Sequence, residues 1–228
     1  MNLKITEDQF NILKKYVISE YIFGSWLHKT NTVNSDKDVL LILDDIFVSD
    51  RIYPNIHCFQ YDDVKNNIQW MLTTESTFNK NLLSGESNIF AELVLFSEFS
   101  KFNDKLLTCR TVKIIKGFIG RAKFDLKLLG TSKDKKNRKA FHISRCLYIA
   151  ECLLDNKLPD LNLIGCYSDL DKDALSAMEL NLRNKCVELY EKNELHWYPV
   201  LSINNQHDEL NELDEMLAAA NNLKEFNY

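Results

Sequence analysis

Chain-breaking residues are scarce, with only six glycines and three prolines in 228 residues. That scarcity excludes a fold of many tight turns and favours long elements joined by few connections. No apolar run approaches the roughly 20 residues needed to span a bilayer. The first ten residues, MNLKITEDQF, lack the basic-then-apolar order of a signal peptide. These two absences lead us to expect a cytoplasmic protein with no membrane partner. The cysteines Cys58, Cys109, Cys146, Cys152, Cys166 and Cys186 form neither a CxxC pair nor a Cys/His zinc spacing. We therefore expect reduced thiols used for packing, not a structural zinc or a disulfide framework. Internal repeats and low-complexity tracts are missing as well.

What is present is an ordinary globular composition, 45 % apolar and 27 % charged, with a net charge of -5. That charge is unevenly spread. Residues 101–145 hold fourteen Lys and Arg against three acids, Asp104, Asp125 and Asp134. A basic segment inside an acidic chain reads as a surface for triphosphate or nucleic acid, or as a solvated helix face.

Periodicity supplies the elements. Thr6 and Gln9 form a capping-box pattern, and Phe10, Leu13, Val17 and Tyr21 predict a helix running to about Ser19. Tyr21–Phe23, Val39–Leu43 and Ile56–Tyr61 read as strands, and Val64–Leu72 as a helix whose front is capped by Asp62 and Asp63. Ile89–Phe99 is too continuously apolar for a surface element and is expected in the core, as a helix by composition, with a buried strand as the alternative. One or two amphipathic helices follow over 103–129, where Gly117 and Gly120 allow close packing or a kink. A linker is expected over 130–136, then helices over 139–158, about 171–192 with Ser168 and Asp169 as caps, and about 206–226. The expected fold class is α+β: a small mixed sheet in residues 1–80, followed by a helical region in 81–228.

The stretch Ile22–Leu43, IFGSWLHKTNTVNSDKDVLLIL, carries the chemistry. Asp36 and Asp38 are two apart, so on an extended strand their carboxylates share a face, a pair of hard oxygen ligands suited to Mg²⁺. An acidic cap on a polar loop is the alternative for an isolated pair. Gly24 lets the backbone approach something bulky, and Ser25 brings a hydroxyl and a main-chain N–H to a turn able to grip phosphate oxygens.

Gly-Ser, ten residues, then Asp-x-Asp entering an apolar strand resembles the DNA polymerase beta-type nucleotidyltransferase superfamily. The downstream stretches GFIGRAKFDLKLL (117–129) and KAFHISRCLYIAECLLDNKL (139–158) look like the helical region of its RNA-repair-associated branch, common in bacteria and large phages. The resemblance covers about residues 18–160. It implies that Asp36 and Asp38 hold Mg²⁺, with two ions possible, and that Gly24 and Ser25 seat a nucleoside triphosphate. His142 and Arg145, three apart on one helix face, match a feature of the branch and would bind phosphate or base; a structural ion pair is the alternative.

The implied activity is Mg²⁺-dependent transfer of a nucleoside monophosphate onto a hydroxyl of an RNA or protein acceptor. Two departures stand out. The third carboxylate of the superfamily is expected on the 56–61 strand, where this chain has His57 or Cys58. His57 would serve as a general base, not as a Mg²⁺ ligand; a strand histidine satisfied by its neighbours, with no part in chemistry, is the alternative. Lys29 stands where the phosphate turn generally has glycine, and it would reach the phosphates or obstruct the loop. A catalytically degenerate relative that binds a nucleotide, nucleic acid or protein is the second reading.

Overall fold

The structure is a computed structural model and describes residues 2–33, 35–45, 58–85, 87–97, 104–129 and 136–197. Its N-terminal part, residues 2–74, is built on a sheet of five strands, ordered β1-β4-β5-β3-β2. These are β1 (Asn2–Lys4), β2 (Val17–Phe23), β3 (Lys37–Leu43), β4 (Cys58–Asp63) and β5 (Ile68–Thr74). β3 runs antiparallel to β2 and parallel to β5, β5 is antiparallel to β4, and β4 is parallel to β1. The sheet is therefore mixed, and the fold is α+β as expected.

β3 is an interior strand between β2 and β5 and is covered on both faces, which explains its unbroken apolar run: such a strand has no reason to alternate with polar residues. Val39, Leu41 and Leu43 pack with Phe10, Phe59, Trp70 and Leu72 under α1 (Glu7–Leu13). Leu40 and Ile42 point the other way, into the core shared with the helices. Phe10 anchors the first layer, stacked 4.6 Å from Tyr61 and 5.3 Å from Trp70.

The Thr6–Gln9 capping box forms as read. The helix, however, stops at Leu13 and, after a short 3₁₀ turn, β2 begins at Val17, not Tyr21. The β-branched Val17 and Ile18 favour the strand, and the ladder to β3 extends from Val17–Leu43 to Phe23–Asp38.

Val64–Leu72 is not a helix. Residues 64–67 make a hairpin turn, with Asn67 at φ 54 and Asp63 accepting from the Asn66 main-chain N–H at 3.1 Å, and β5 follows. Asp63 therefore caps a turn instead of a helix, and Asp62 is held by Lys4, Gln60 and Gln69.

The second half is helical: α3 (Glu75–Leu83), α4 (Asn88–Phe96), α5 (Lys105–Cys109), α6 (Val112–Leu128), α7 (Lys136–Leu154) and α8 (Lys172–Glu191). α4 is the buried helix expected from its composition. α8 is capped by Asp171, not by Ser168 or Asp169. Cys58, Cys109, Cys146 and Cys186 are packed inside, whereas Cys166 is exposed. Gly117 is close-packed, since a Cβ there would stand 2.9 Å from the Gly85 carbonyl oxygen, but Gly120 has nothing within 4 Å. Among the described residues no helix is long and apolar enough to cross a membrane. Of the linker expected over 130–136, Lys136 already belongs to α7, and residues 130–135 lie outside the described residues, as does the helix expected at 206–226.

Candidate functional site

β2 ends at Phe23, and the chain turns at once into a four-residue helix, α2 (Gly24–Leu27). Gly24 has φ +65, and a Cβ on it would collide with the carboxylate of Asp38, lying 3.1 Å from Cγ. Both conditions demand glycine: the left-handed backbone and the lack of room. The cause is the β2–β3 ladder, which pairs Phe23 with Asp38 and so brings the next residue over that carboxylate. Phe23 has no capping side chain, leaving the first N–H groups of α2 without a side-chain acceptor. The indole N–H of Trp26 donates to the Asp36 carbonyl oxygen at 2.9 Å, fastening α2 to the approach of β3.

Asp38 has the parity of Leu40 and Ile42, so it faces the helical side of the sheet. Burial, and then the charge of Asp36, push its carboxyl up to about 6, with Arg138 on α7 drawing it back. Among the described residues neither Asp36 nor Asp38 has an ion pair. The pair is thus short of positive charge, and its hard oxygen atoms fit Mg²⁺.

The strand beside β3 is β5, and Asp38 stands opposite Gln69. The expected neighbour was the strand carrying His57 or Cys58. Cys58 instead begins β4, one strand further out, with its side chain in the core; His57 lies outside the described residues. Gln69, the residue facing Asp38 on the adjacent strand, is an amide and not a carboxylate, and its Nε2 donates to Asp62 Oδ1 at 3.2 Å. Asp62 itself is committed to Lys4, Gln60 and Gln69, and the Lys4 hydrogen bond leads in holding its carboxyl below the usual range.

Lys29 follows α2 with φ 55, the left-handed conformation that glycine adopts most readily. Its exposed side chain borders a cleft of about 460 Å³ shared with Thr30, Phe141 and the 161–166 segment.

His142 and Arg145 do not contact the aspartates. Arg145 Nη1 lies 3.0 Å from His28 Nδ1, and its Nε lies 3.2 Å from Glu92 Oε1. Because arginine only donates, His28 Nδ1 accepts and the imidazole proton sits on Nε2, which is 2.9 Å from Glu92 Oε2. Neither approach to Glu92 is an aligned hydrogen bond, and that of Arg145 is an ion pair. Burial alone would raise the Glu92 carboxyl, but Arg145 and His28 outweigh it and hold the group below the ordinary range. His142 Nδ1 lies 2.6 Å from Asp125 Oδ2, which also accepts from Arg121 Nε at 3.1 Å. Arg145 is thus part of a buried network tying the end of α2 to α4 and α7.

Three contributors were not singled out in the sequence. Arg138 precedes His142 by four residues and Arg145 by seven, so all three share one face of α7. Glu92 is a lone acid within the apolar run 89–96, and Asp125 is the only acid on α6. An isolated charge in an apolar helix, as at Glu92, signals a buried partner, whereas Asp125 sits among the lysines and Arg121 of α6 and carries no such signal.

No family model matches the chain, and no curated protein matches it.

Proposed function

We propose that the protein is a Mg²⁺-dependent nucleotidyltransferase that moves a nucleoside monophosphate from a triphosphate to a hydroxyl of a nucleic acid or protein acceptor. The carrying observation is the Gly24 backbone lying directly over the Asp38 carboxylate, with Asp36 alongside, at the spacing of the polymerase beta-type motif. Asp36 and Asp38 would hold one or two ions. Bound Mg²⁺ supplies neutralisation of the phosphate charge as the bond to pyrophosphate breaks.

The Gly24–Ser25 turn offers main-chain N–H groups to phosphate oxygens. Arg138, near enough to act on Asp38, and Lys29, beside the cleft, are cations available to the departing pyrophosphate. The acceptor oxygen attacks the α-phosphorus, the bond to the β-phosphate oxygen breaks, and the acceptor proton leaves to solvent. Rate enhancement on this reading comes from positioning and electrostatics.

Gln69 opposite Asp38 favours a second reading, a non-catalytic descendant that binds a nucleotide through the same residues. Incubation with α-labelled nucleoside triphosphates and a mixture of RNA and protein acceptors separates the two. Incorporation that vanishes in Asp38→Ala supports transfer. Nucleotide binding without incorporation under any acceptor supports the second reading.

A further inference from the structure

A second groove, of about 580 Å³, lies among α4, α6 and α7, and its lining includes none of Asp36, Asp38, Gly24 or Ser25. Its volume falls in the range of small-molecule sites, about 300–1,000 Å³. On its wall, buried Asp125 holds His142 through Nδ1 at 2.6 Å, with the imidazole 29 % exposed. An ionised carboxylate only accepts, so Nδ1 carries the proton and Nε2 presents a bare lone pair. Among the described residues nothing bonds to that Nε2. Burial first, and then the Arg145 cation, hold His142 below its ordinary pKa despite Asp125, which keeps the imidazole neutral and able to accept.

Gly120 lines the same groove, and a Cβ built there would meet nothing within 4 Å. Glycine inside a helix costs about 1 kcal/mol relative to alanine. Packing explains Gly117 on the same face, but it does not explain Gly120. One turn further along, Phe124 is 55 % exposed, and the Arg121 guanidinium lies 5.8 Å from its ring centre. Bare helix backbone, an exposed ring and a guanidinium plane are surfaces on which a flat heteroaromatic ring stacks.

We propose that this groove binds a nucleoside, with the base against the Gly120 and Phe124 face of α6 and a sugar hydroxyl donating to His142 Nε2. The chemistry is the same for a free mononucleotide and for the end of an RNA strand, and the site is separate from the transferase reading of Asp36 and Asp38.

The test titrates the full chain in EDTA, which silences a metal-dependent triphosphate site, with AMP in one arm and a short oligoadenylate in the other. Saturable binding of either probe is expected, and the tighter arm identifies the source. Gly120→Leu fills the groove and should weaken binding at least about tenfold while melting at or above the wild-type temperature, so loss of fold is not the cause. Asp38→Asn should leave binding unchanged. A dideoxy analogue of AMP should bind wild type more weakly, and His142→Ala should no longer distinguish it from AMP. Absence of saturable binding in both arms, wild-type affinity in Gly120→Leu, or discrimination that survives in His142→Ala would each overturn the proposal. None of these outcomes bears on Mg²⁺-triphosphate binding, so the two readings fail independently.

Discussion

Gly24 and Asp38 constrain each other, because the β2–β3 register leaves the backbone of one over the carboxylate of the other. Gly24→Ala must strain a left-handed residue and displace Asp38 at once. We expect it to fold, as judged by circular dichroism, and to lose Mg²⁺-nucleotide binding in calorimetry. The carboxyl near pH 6 gives a second test. A cation needs the ionised form, so affinity should fall as pH drops through about 6. Asp36→Asn removes the like charge and should move the NMR titration midpoint of Asp38 downward.

The effect on stability has the opposite sign. The folded state holds this proton more tightly than the unfolded chain does, so a penalty grows as pH rises from the ordinary 3.8 to about 6. Asp38→Asn should therefore melt higher than wild type at pH 7. After allowance for solvent screening of a half-buried group, the gain is on the order of 1 kcal/mol, or about 2–4 °C. The gap should close on approach to pH 4, and its persistence there in thermal scans would contradict the assignment.

Among the elements, β5 marks where sequence patterning misleads. Val64, Ile68, Met71 and Leu72 satisfy a helical period, while Ile68, Trp70 and Leu72 satisfy a strand period. The deciding signal is local: Asn66-Asn67, a pair suited to a turn with one left-handed residue. Because of that turn the strand beside β3 is β5, and Gln69 faces Asp38 where the helical period points to the strand of His57 and Cys58. By contrast the bend at Gly24–Ser25, β3 and α4 were legible, because a Gly-Ser turn, an interior apolar strand and a continuous apolar helix each carry a signal that tertiary context does not reverse; that the bend continues as the short helix α2 was not. The partners of Arg145 were not, since His28 and Glu92 are 117 and 53 positions away in the chain.

The link those partners form between α2, α4 and α7 should be costly to break. Glu92→Ala leaves Arg145 buried without its carboxylate, and we expect a loss of roughly 3–5 kcal/mol, about 10 °C in melting temperature. Thermal denaturation within 1–2 °C of wild type would mean that the network does not brace the turn.

Across the whole molecule, the sheet and the helices share one core: Phe23, Leu40 and Ile42 pack in the same cluster as residues of α4, α6 and α7. The expected division at residue 80 falls inside α3 (Glu75–Leu83); strand gives way to helix after Thr74, and the hydrophobic packing is continuous across that point. The two halves should accordingly unfold in a single transition by far-ultraviolet and tryptophan signals, and separated transitions would argue for independent units. This continuity also gives the basic segment its place, since α7 runs from Arg138, which acts on Asp38, to Arg145, which holds the end of α2. The central claim is that Asp36, Asp38 and the Gly24–Ser25 turn hold a metal-bound triphosphate. Calorimetric titration of Mg²⁺-ATP and Mg²⁺-GTP into wild type and Asp36→Asn tests it most directly. Saturable binding in wild type, at least about tenfold weaker in the variant, is the predicted result; equal binding in both proteins, or none in wild type, would contradict it.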